Sequence, residues 1–179
     1  LFNSKFTYTH LTKFINCGII KNFGVSIYTL REFFKARKYK KINCVQLPFN
    51  ILDYKWKNIL NTKNKNFKIF VRSIFLRGNL KKNDIKFPIY KLNHKKLVSE
   101  LNKLVKKFKK KNLLDMSIAY IKSFKGIDFY VLGVENQLNL KNSLNYFKKK
   151  PLKESEKNII IKTVKKYLNA NEADLRRWN

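Results

Sequence analysis

Short apolar runs with few charges alternate along this chain with longer stretches in which apolar residues recur at helical spacing, and no other feature restricts the fold as much. The clearest short run is Phe67 to Leu80. Four of its first five residues are apolar or aromatic, with Lys68 the exception; Arg72 and Ser73 then interrupt it, and Gly78 closes the segment. A buried strand that ends by presenting an arginine and a hydroxyl is what a barrel strand looks like where it meets a ligand. Three further runs read as strands. Ile19, Ile20 and Phe23 lead into Gly24-Val25-Ser26; Ile42, Cys44, Val45 and Leu47 carry Gln46 near their end and stop at Pro48; Phe129 to Leu132 is the last.

Helices fill the intervals. Phe6 to Cys17 precedes a Gly18 stop, and Thr29 is placed to cap a helix through Lys35 with Leu30, Phe33 and Phe34 inward. Leu52, Trp56, Ile59 and Leu60 mark another. Leu97, Val98, Leu101, Leu104, Val105 and Phe108 define an amphipathic helix with lysines opposite, and Leu114, Ile118, Ile121 and Phe124 a second, closed by Gly126. Gly133 to Glu135 leads into an Asn-rich helix ending at Lys148 to Lys150, and Glu154 to Leu168 forms the last. Residues 61–66 and the long polar connection to Asn93, broken by Pro88, read as loops.

Strands alternating with helices imply an α/β fold with parallel strands and helical crossovers. About four such units are visible, whereas a closed (β/α)8 TIM barrel takes eight and roughly 250 residues. Residues 1–179 therefore read as one partial barrel. A doubly wound open sheet is the alternative, but its glycine-rich phosphate loop after the first strand is absent. The chain begins at Leu1 and its only methionine is Met116, so an upstream segment is expected.

Lys+Arg number 41 against 11 Asp+Glu, a net charge of +30. Such a potential attracts nucleic acid or anionic lipid; the plainer explanation is an A/T-biased composition, since lysine is spread throughout and accompanied by Asn and Ile. Cys17 and Cys44 form no disulfide framework and no zinc spacing, which fits a reduced cytoplasm. No signal-like leader or bilayer-length apolar run is present, so no membrane association is expected.

Taken in order, the strand ends resemble the aldo/keto reductase family, specifically the C-terminal half of its barrel. Cys17 to Ser26 is similar to the family's approach to its fifth strand, ending in Gly24-Val25-Ser26. Asn43 to Asn50, with Val45-Gln46-Leu47-Pro48, is similar to the sixth, followed by Leu52-Asp53. Val71 to Gly78 is similar to the seventh, and Asp128 to Asn142 to the eighth with its continuation. The close, Asp174 to Trp178, is similar to the family's tail.

The resemblance implies a nicotinamide cofactor, NADP or NAD, and a small-molecule carbonyl substrate. Ser26 and Gln46 would bond the nicotinamide carboxamide, where the plainer roles are a turn residue and a satisfied strand-end amide. Arg72 stands where many relatives carry a stacking tyrosine, and a guanidinium can stack and also reach the pyrophosphate; Ser73 would bond the phosphates. The segment Gly133, Val134 and Glu135 onward would wrap the adenosine, with Asn139 and Asn142 near adenine. Glu135 and Asn136 depart from the Lys, Ser or Arg of NADP-binding relatives and imply a preference for NAD, or a relaxed preference between the two.

The family's proton-donating Tyr and its Lys, Asp and His companions come from the first half of the barrel, and none of those strands is here. His10 and His94 read as surface residues, and Tyr28 is not a substitute donor. The missing N-terminal half is thus the implied partner, and the fragment alone is expected to be inactive. Two rivals stand beside this reading. One is a basic nucleic-acid-binding protein using Lys35 to Lys41 and the lysines opposite Leu97 to Phe108, disfavoured because the aromatics fall at buried positions. The other is a non-catalytic protein on a degenerate reductase barrel.

Overall fold

The computed structural model describes residues 5–63, 67–81, 94–169 and 172. Seven α-helices and four strands follow one another within them: α1 (Lys5–Asn16), β1 (Gly24–Ser26), α2 (Leu30–Arg37), β2 (Cys44–Pro48), α3 (Lys57–Leu60), β3 (Lys68–Arg72), α4 (His94–Lys107), α5 (Leu113–Lys122), β4 (Phe129–Tyr130), α6 (Gln137–Lys148) and α7 (Glu154–Lys165). A 3-10 segment, Leu76–Lys81, follows β3. The strands form one sheet in the order β1-β2-β3-β4, every neighbouring pair parallel. Each parallel step needs a crossover, and the helices supply it.

Register sorts the strand residues into two faces. Val25, Val45 and Ile69 stand side by side, as do Leu47 and Val71, and these five are buried. They join Phe33, Trp56, Met116 and Tyr120 in one apolar core, each large side chain contributing about 1.5–3 kcal/mol on burial. The other face holds Ser26, Gln46, Phe70 and Phe129 in one row, with Arg72 two residues beyond Phe70. Phe70 and Phe129 stack at 4.5 Å, yet Phe129 remains 48% exposed.

Local chemistry sets most boundaries. Gly18 takes φ +74 after α1, a conformation that costs glycine little. Thr29 caps α2 with a full capping box: its side chain accepts from the Glu32 N–H, and Glu32 accepts from the Thr29 N–H. Asn112 and Asn136 cap α5 and α6 through the N–H groups of Asp115 and Asn139.

The expected elements form with several differences. Phe33 is buried, but Leu30 and Phe34 of α2 face outward; the two-turn helix has room for one inward column, which Phe33 and Ala36 take. Pro48 lies inside β2 rather than after it. The neighbouring β1 ends opposite Gln46, so the missing Pro48 N–H breaks no bond on that side. The helix expected from Leu52 is only Lys57–Leu60, and β4 stops at Tyr130 rather than Leu132. Pro88 and the tail Asp174 to Trp178 lie outside the described residues.

Candidate functional site

At the C-terminal ends of β3 and β4 the chain encloses a cavity of about 430 Å³. Arg72, Ser73, Ile74, Phe75 and Gly78 form one wall; Val131, Leu132, Gly133, Val134 and Glu135 form the other. Its size is that of a small-molecule or cofactor subsite. The two walls are tied together, because the Val131 N–H donates to the Val71 carbonyl at 2.8 Å.

The β3 wall is built on backbone strain. Ser73 has φ 59 and Leu76 φ 52, left-handed values that L-residues adopt at a cost of about 1–2 kcal/mol each. The Leu76 N–H donates to the Ser73 carbonyl at 3.0 Å, which closes the turn. Gly78, at φ +84, supplies the next left-handed position. Strain of this kind turns the chain away from the sheet directly after Arg72.

Arg72 is the cation of the site. Its Nη1 donates to Ser73 Oγ at 3.4 Å, and its guanidinium carbon lies 4.7 Å from the centre of the Tyr28 ring. The Arg72 carbonyl accepts the Phe49 N–H at 3.0 Å, so the backbone beneath it is fixed. Facing it, Glu135 accepts from Asn139 Nδ2 at 3.4 Å and sits one residue before the Asn136 cap of α6. The site therefore combines a guanidinium and a hydroxyl, which suit an anion, with the Glu135 carboxylate just ahead of the α6 N-cap.

The structure brings together Arg72, Ser73, Gly133, Val134 and Glu135. Ser26 and Gln46 are level with one another on β1 and β2 and face the same side as Arg72, but they are not part of the cavity wall. Asn139 and Asn142 lie on α6, Asn139 with its amides engaged at the cap and Asn142 exposed; neither lines the cavity. His10 is exposed on α1, as expected of a surface residue.

Tyr28 escaped the sequence reading as part of the site. The signal was present, an aromatic two residues past a strand end, but nothing in one dimension says that its ring meets the strand after next. Ser73 Oγ accepts from the Arg72 guanidinium, which does not activate it as a nucleophile. No group of three or more His, Cys, Asp or Glu residues able to hold a metal occurs among the described residues, and no helix there is long and apolar enough to cross a membrane.

Comparison with known proteins agrees with this architecture. The model of the aldo/keto reductase family matches residues 4–165. Among solved structures, the holo form of the aldo-keto reductase AKR11C1 from Bacillus halodurans superposes with a TM-score of 0.71 at 16% identity, covering 92% of this chain and 56% of that one. The glycerol dehydrogenase AKR11B4 from Gluconobacter oxydans gives 0.65 at 19% identity, covering 90% and 54%. The chain thus spans about half the length of these structures. No curated protein matches it.

Proposed function

Since this chain belongs to the aldo/keto reductase family, we propose that it is the C-terminal half of a (β/α)8 reductase barrel. Its parent would transfer hydride between NAD(P) and a small-molecule carbonyl or alcohol. The observation that carries this reading is the cavity to which the ends of β3 and β4 deliver Arg72 and Ser73 on one side and Gly133 to Glu135 on the other.

The residues present fit a dinucleotide. Arg72 and the first turn of α6 offer positive charge for a pyrophosphate, and Ser73 adds a hydroxyl donor. The nicotinamide supplies the hydride; the protein's part is to hold and orient it. Ser26 and Gln46, level on adjacent strands, bond the carboxamide and fix the ring's rotation, so that one face meets the substrate. Glu135 accepts from a ribose 2′-hydroxyl and repels a 2′-phosphate, which favours NAD over NADP. Asn139 and Asn142 serve the adenine end from α6.

The proton donor belongs to the other half of the barrel, which is the partner this chain needs. Alone the chain is inactive. Neither nucleic acid nor membrane takes part, and the two unpaired cysteines suit a reduced cytoplasm. Fluorescence titration of the full-length protein with NADH and NADPH tests the reading: saturable binding, tighter for NADH and weakened about tenfold or more by Arg72→Met, is expected. Tighter NADPH binding removes the preference, and absence of binding to either removes the reading.

A further inference from the structure

We infer that Tyr28 is the positioning residue for Arg72, holding its guanidinium at the cavity for an anionic phosphate group; this rests on the dinucleotide reading above. The ring lies 4.7 Å from the guanidinium carbon, inside the range of a cation–π contact. Arginine also stacks on aromatic faces while its planar donors stay available at the edge.

Tyr28 is itself held on both sides. The preceding Ile27 is fully buried, and its N–H donates to the Gln46 carbonyl at 2.8 Å. The Tyr28 N–H donates to Glu32 Oε2 at 2.7 Å, and the same oxygen takes the Thr29 N–H at 2.9 Å within the capping box of α2. The ring thus stands on a short, doubly anchored link between β1 and α2.

Arg72 needs such a platform because carboxylates are scarce, 11 against 41 basic residues. Every described ion pair belongs to a lysine, and Arg72 has no carboxylate partner among the described residues. A ring orders the side chain without neutralising it. The guanidinium keeps its full charge for a ligand, and the entropy lost by a long side chain is met before binding.

Two measurements on the full-length protein test this. The Arg72 side-chain NMR signals of the wild type should be shifted upfield by the ring current, a shift retained in Tyr28→Phe and lost in Tyr28→Leu. NADH affinity should fall about three- to thirtyfold in Tyr28→Leu and stay near wild type in Tyr28→Phe. Wild-type binding that Tyr28→Leu leaves unchanged overturns the positioning role alone, as does an unshifted wild-type Arg72 signal. A wild type that binds neither NADH nor NADPH overturns the dinucleotide reading and the positioning role with it.

Discussion

Tyr120 lies fully buried in α5, stacked on Phe49 at 5.9 Å and edge-on to Phe124 at 5.1 Å. Its hydroxyl has no hydrogen-bond partner among the described residues. Burial first, and then the charge of Asp53, push the phenol far above its ordinary value of 10.0. The unfolded chain therefore ionises near pH 10 while the folded chain stays neutral, so the unfolded state binds fewer protons and stability falls as pH rises past that point. The slope approaches about 1.4 kcal/mol per pH unit for one such group. Tyr120→Phe should flatten this alkaline limb, and at pH 8 it should match or exceed wild type by about 1 kcal/mol, since it removes an unsatisfied buried hydroxyl. Urea midpoints at pH 8 and on the alkaline limb above about pH 10 check both. Arg72 and Ser73 stood out in the sequence because polar residues interrupt an apolar run; Tyr120 did not, because a buried tyrosine without a partner looks like any other aromatic.

Capping decides α2. With only eight residues and an exposed Leu30 and Phe34, it leans on the Thr29–Glu32 box more than on burial. Thr29→Ala should cost about 1 kcal/mol in a thermal or urea melt. It should also weaken NADH binding, because Tyr28 shares the same carboxylate; a loss of stability with unchanged affinity would separate the cap from the site. Elements whose local chemistry was complete in sequence, such as the Thr29 cap and the apolar column of α4, formed as read. The short β4 and the outward Phe34 depend on neighbours that lie far off in sequence. The same holds for Lys157 of α7, which is fully buried and donates to Asn61 Oδ1 at 2.9 Å while pairing with Glu154 at 2.6 Å. In a chain this rich in lysine no sequence signal marks Lys157 as buried.

At the scale of the molecule the sheet has two outer strands, β1 and β4, each paired on one side only. Apolar residues remain exposed along the β4–α6 border, where Phe129, Leu138, Leu140 and Leu144 are 40–65% accessible. Open edges and apolar borders of this kind promote association. The isolated chain is expected to run as a dimer or larger species in size exclusion, more so at high salt, where the +30 charge no longer repels its copies. A monomer that melts cooperatively would count against the half-barrel reading. The parallel rhythm and the strand-end residues were legible because period and interruption are local properties. The cavity was legible only through the family resemblance, which put Arg72, Ser73 and Gly133 to Glu135 on one cofactor, since it joins segments about sixty residues apart. The central claim is that this cavity holds a nicotinamide dinucleotide. Hydrogen–deuterium exchange of the full-length protein with and without NADH tests it most directly. The amides of Val71 to Ile74 and of Val131 to Glu135 should slow together on binding; protection confined to other segments, or none at all, would contradict it.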